Sequence, residues 1–74
     1  MYNIGDLVRW YEYYANDADI LKDSGHGIVL EKKTYNLKHA DKIYINYVIH
    51  RTRNNDTMLF ESRELEKISI ENKP

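Results

Sequence analysis

The chain has 74 residues, of which 42% are hydrophobic and 31% charged, with a formal net charge of −1 and no cysteine. That length allows one small domain burying about 63% of its unfolded surface. The absence of cysteine excludes disulfides, thiolate metal sites and thiol nucleophiles, and the near-neutral charge argues against a general polyanion binder.

Ile4-Gly5-Asp6 reads as a turn launching a strand, because Gly permits tight dihedrals and Asp bonds nearby backbone. Leu7 to Tyr14 is rich in aromatic and β-branched residues and predicts a first strand. Its first half is expected to be buried, and its second half to run out towards a loop. Residues 15–26 carry three acids and an Asn, which favours one long structured loop with Ile20 and Leu21 tucked back. Asp23-Ser24-Gly25-His26-Gly27 is the strongest turn signal in the chain.

Ile28 to Tyr35 predicts a second strand and residues 36–41 a polar turn. Lys42 to Arg51 is the clearest strand, since Ile43, Ile45, Tyr47 and Ile49 alternate with Lys42, Tyr44, Asn46, Val48 and His50. Asn54-Asn55-Asp56 suits a hairpin turn because Asn tolerates left-handed backbone. Thr57 to Glu61 returns as a fourth strand. Ser62 to Leu65 suits a short 3₁₀ turn before a last strand at residues 66–70, and residues 71–74 read as a frayed tail. The fold class expected is all-β, in a single domain over residues 1–70. Its expected core is Val8, Trp10, Ile28, Leu30, Ile43, Ile45, Tyr47, Ile49, Met58, Phe60, Leu65 and Ile68.

Ile-Gly-Asp-Leu-Val at 4–8, Gly-His-Gly-Ile-Val-Leu at 25–30, the strand at 42–51 and Leu65-Glu66-Lys67-Ile68 together resemble small SH3-like barrels. More narrowly, the layout is similar to short SH3-like proteins encoded by tailed bacteriophages. The resemblance spans residues 4–68 and implies a small barrel of about five strands with one long loop and a short 3₁₀ turn. It also implies a phage accessory, virion structural or assembly protein, in the host cytoplasm or the virion, with another phage or host protein as partner. The aromatic run lies in one strand instead of being spread over several loops, so no polyproline site is carried over.

No apolar run approaches the ~18 residues of a membrane span, and the first ten residues lack signal-peptide character, so the chain is expected to stay where it is made. His26, His39 and His50 with Ser24, Ser62 and Ser69 supply the proton-shuttle and hydroxyl candidates, but no recognised catalytic motif joins them. The histidines lack the HExxH or H-x₃₋₅-H spacing of a metal site, and Asp17, Asp19 and Asp23 lack the Gly and closing Glu of a calcium loop. A non-enzymatic module with no cofactor is expected.

Two surface readings follow. Seven tyrosines and a tryptophan exceed what a small core conveniently holds, and such residues concentrate at protein interfaces. Tyr11, Tyr13, Tyr14, Tyr35 and Tyr44 are therefore the candidate protein-binding residues, for another protein or for self-association. The alternative is a nucleic-acid-binding KOW- or Tudor-like role through Lys32, Lys33, Lys38, His39, Lys42, Arg51 and Arg53, with Tyr35 and Tyr44 as stacking partners. Residues 32–53 sum to +5, against −4 for residues 1–31 and −2 for residues 54–74. That distribution also suits opposite charges paired across neighbouring strands.

Overall fold

The computed structural model describes residues 1–37, 39 and 42–68. Five antiparallel strands form one sheet in the order β4-β3-β2-β1-β5: β1 Leu7–Tyr14, β2 Asp17–Leu37, β3 Lys42–Arg51, β4 Asp56–Glu61 and β5 Leu65–Lys67, with a 3₁₀ turn at Ser62–Glu64 before β5. β4 and β5 are the two edges, and among the described residues no ladder joins them. The five strands expected from the sequence are present, but the sheet is open and not a closed barrel.

β2 organises the molecule. Its 21 residues correspond to about 70 Å of strand contour, longer than the 50 Å greatest extent of the whole molecule, so the strand must coil. Its first half pairs with β1 as far as Leu7↔Ile28, and its second half pairs with β3 from Gly27↔Arg51 onward. The two ladders overlap only at Gly27 and Ile28. Beneath that overlap lies the core of Val8, Trp10, Val29, Tyr47, Ile49, Phe60 and Leu65.

Here the structure corrects the expected loop at residues 15–26: Asp17 onward is strand. The glycine-rich segment is likewise not a turn. A Cβ on Gly25 would meet the Trp10 ring at 2.8 Å, and one on Gly27 would meet the Ile49 side chain and the His50 carbonyl oxygen. These glycines let the backbone close over the core. Because they occupy the inward phase, Val29 follows them inward, while Ile28 points out, contrary to the expected core. The ladder then steps from Val29↔Ile49 to Glu31↔Val48, leaving Leu30 as the extra residue of a bulge, also exposed.

The inward face is aromatic. Trp10 stacks on Phe60 with ring centroids 5.7 Å apart and 25° between planes, although β1 and β4 are not neighbours in the sheet. Such a contact requires a strongly curled sheet. Trp10 Nε1–H donates to the His26 carbonyl at 3.1 Å, so the indole is both buried and satisfied. Tyr2 packs edge-on against Tyr47 at 5.3 Å and donates its hydroxyl to the Leu65 carbonyl at 2.8 Å, tying the N-terminus to β5. Ile43 keeps the inward phase of β3 yet is 67% exposed, because the ribbon continues past the core.

The local signals at the ends behave as expected. Gly5 has φ +93° and its N–H donates to the Val29 carbonyl at 2.7 Å, while Asn3 N–H donates to Asp6 Oδ2 at 2.9 Å. Asn55 takes the left-handed conformation at φ 53° between β3 and β4. In the 3₁₀ turn, Glu61 N–H donates to the Glu64 carboxylate at 2.8 Å. The expected continuation of the last strand through residues 69–70, the tail at 71–74, Ser69 and Lys38 lie outside the described residues.

Candidate docking surfaces on two β-ribbons

Both ends of β2 extend beyond the sheet as two-stranded ribbons. At one end, Glu12–Tyr14 of β1 lie against β2 in an irregular register, Tyr13↔Leu21 and Tyr14↔Asp17. At the other, Thr34–Leu37 of β2 pair only with Lys42–Ile45 of β3, since the β3–β4 ladder begins at Asn46. A two-stranded ribbon has little core of its own. Its apolar side chains stay at the surface.

The five tyrosines singled out from the sequence do not form one patch. Tyr35 and Tyr44 are direct cross-strand partners on the outer face of the β2–β3 ribbon. Together with Leu37, Asn46 and Glu61 they line an open hollow of about 330 Å³. Tyr13 and Tyr14 lie on the β1–β2 ribbon and border a second hollow of about 430 Å³ with Ala15, Ala18, Arg63 and Glu64. These four tyrosines are 38–46% exposed. Tyr11 stands apart, half-buried, donating its hydroxyl to Glu66 Oε1 on β5 at 3.0 Å. The two hollows share no lining residue but adjoin at the 3₁₀ turn, where Arg63 of one pairs with Glu61 of the other at 2.8 Å.

Sequence reasoning missed Leu37, Asn46 and Glu61. The signal was available: Leu37 and Asn46 follow Tyr35 and Tyr44 at the two-residue period of a strand face, and Glu61 is the ladder partner of Asn46. Ala15 and Ala18 had been absorbed into the expected loop.

The basic candidates divide. Arg51 lies on the core side with its guanidinium 5.0 Å from the Trp10 ring centroid. Its Nε and second nitrogen donate to Asp56 Oδ1 and Oδ2 at 2.7 and 2.5 Å, and its side chain is 12% exposed. That forked hydrogen bond raises the Arg51 pKa and holds the Asp56 carboxyl below its ordinary value. Arg53 donates to Asp23 Oδ1 at 3.0 Å and to the Ser24 carbonyl at 3.1 Å, bridging the β3–β4 turn to β2. Lys32 points inward, half-buried opposite Tyr47; Lys33, His39 and Lys42 are exposed on the β2–β3 ribbon and its turn. Two of the seven candidates are thus committed to carboxylates within the fold, and only part of the set shares a face.

Ser24 and His26 lie on the outer face of β2, opposite Tyr11 and Arg9, and His26 Nε2 is 3.3 Å from an Arg9 guanidinium nitrogen. Among the described residues, no group of three or more His, Asp or Glu could hold a metal ion. No described helix is long and apolar enough to cross a membrane. Comparisons with protein-family models, curated proteins and solved structures return no match.

Proposed function

We propose that this chain is a non-enzymatic protein-interaction module that docks through the outer face of the β2–β3 ribbon. The observation that carries this reading is the Tyr35–Tyr44 cross-strand pair, nearly half exposed, bordering an open hollow with Leu37 beside it. Rigid aromatic side chains present large contact area at little entropic cost when they bind. Exposed apolar groups on a coreless ribbon contribute little to folding, so their use lies at the surface.

The strand order and the 3₁₀ turn between β4 and β5 support an SH3-like chain path, in an opened form of that barrel. With that path goes the role of a phage accessory, virion or assembly protein, working in the host cytoplasm or within the particle. Mass spectrometry of purified particles separates those two locations. The nucleic-acid alternative is the weaker reading, because Arg51 and Arg53 are engaged by Asp56 and Asp23.

The test is retention of bound polypeptide by tagged wild-type chain and by Tyr35→Ser/Tyr44→Ser, in cells that naturally express the protein. The variant is expected to keep its melting temperature, because neither tyrosine is in the core, and to lose at least tenfold in retained partner. Equal retention by both forms, or retention of nothing by the wild type, contradicts the proposal.

A further inference from the structure

β2 presents two unpaired edges of opposite character. On its β3 side the ladder begins only at Gly27, so Asp17–Lys22 has no neighbouring strand there among the described residues. On its β1 side the ladder ends at Ile28, with backbone bonds from Gly5 and to Asp6 reaching Val29, so among the described residues Glu31–Leu37 is equally unpartnered. Unpaired edges of this length are templates for another strand. Each edge also carries exposed apolar side chains: Ile20 and Leu21 on the first, Tyr35 and Leu37 on the second.

Charge selects the occupant. Residues 12–23 carry Glu12, Asp17, Asp19 and Asp23 against Lys22, a sum of −3. Residues 31–42 carry Lys32, Lys33, Lys38 and Lys42 against Glu31 and Asp41, a sum of +2. Like charges set opposite one another across strands destabilise a pairing and opposite charges favour it. Two acidic ribbons repel, as do two basic ones; the acidic ribbon of one copy suits the basic ribbon of the next.

We infer that the partner is a second copy of this chain, bound head to tail, with the Asp17–Lys22 edge of one molecule adding to the Glu31–Leu37 edge of another. This rests on the docking reading above and names its occupant. Such a contact is heterologous, with different surfaces on the two sides, so it propagates into rings or open filaments and does not stop at a two-fold dimer. It leaves the curled core untouched, since both edges lie outside the ladder overlap at Gly27 and Ile28.

The test is sedimentation velocity on the full chain across a concentration series, from about 50 mM to about 500 mM salt. Wild-type mass is expected to rise above the 8.9 kDa monomer with concentration at low salt and to fall back at high salt. Two charge-reversed variants follow, Asp17→Lys/Asp19→Lys and Lys33→Glu/Lys42→Glu, each first checked for wild-type circular dichroism. Each alone is expected to remain at monomer mass, because its two ribbons now share a sign, and an equimolar mixture is expected to regain association. Wild-type monomer at every concentration overturns the inference, as does association indifferent to salt, or a mixture that stays monomeric. Should a reversed pair lose its fold, the wild-type salt series decides alone. If the wild type stays monomeric while Tyr35→Ser/Tyr44→Ser still sheds a different bound polypeptide, the head-to-tail contact falls and the docking reading stands.

Discussion

Arg51 shows how one side chain can serve the fold when its residue type suggests a ligand contact. Its guanidinium lies over Trp10 and forks onto Asp56, its own ladder partner across the β3–β4 hairpin. The pair seals one side of the indole and fixes the hairpin register. The consequence for pH follows from the Asp56 carboxyl, whose folded pKa lies below its ordinary 3.8 because of the hydrogen bond from Arg51. A lowered carboxyl pKa contributes stability above the unfolded value, and that contribution is lost as pH falls through the folded one. Asp56→Asn is expected to be less stable than wild type at about pH 6, with the gap closing on acidification to about pH 3. Urea midpoints along that series measure it; a gap independent of pH contradicts it. Tyr2 behaves in the opposite sense: burial first, then Tyr47 and Glu66, raise its pKa. Its neutral hydroxyl therefore holds the Leu65 carbonyl until pH climbs past the ordinary tyrosine range.

At the scale of the element, β1, β3, β4 and the 3₁₀ turn were legible because each satisfies its own local rule. Aromatic and β-branched residues marked β1, two-residue alternation marked β3, and Asn55 marked the hairpin. Of β2, Ile28–Tyr35 was legible and the half before it was not, and the reason is tertiary. Asp17, Asp19 and Asp23 have weak strand propensity, and Gly25 and Gly27 have the form of a turn. The backbone stays extended there because pairing with β1 and the Trp10 ring beneath outweigh local preference. The paired tyrosines of the candidate site were readable as residues, whereas their separation into two ribbons depended on β2 being one strand. A specific cost attaches to that continuity. Gly27→Ala drives a methyl into the Ile49 side chain and to within 2.7 Å of the His50 carbonyl oxygen, which is expected to cost about 1–3 kcal/mol. That is a large fraction of the ~4–11 kcal/mol typical for this length. An unchanged urea midpoint contradicts the packing role.

At the scale of the whole molecule, the shape records how little of the sheet is covered on both faces. The radius of gyration is 13.8 Å, against about 11 Å for a compact chain of this length. The extents of 50 × 27 × 22 Å describe an elongated body. Among the described residues, seven make the buried core, and they gather about the crossing of the two ladders. What projects beyond that crossing carries Tyr13, Tyr14, Tyr35 and Tyr44, with acid on one ribbon and base on the other. The net charge of −1 conceals this polarity. The proposed docking places recognition on these two ribbons. Hydrogen exchange by mass spectrometry on dilute and concentrated chain tests this most directly. The account predicts added protection on concentration at residues 17–22 and 31–37 together, with the strands over the core unchanged. Protection gained by neither edge, or by only one of the two, would contradict it.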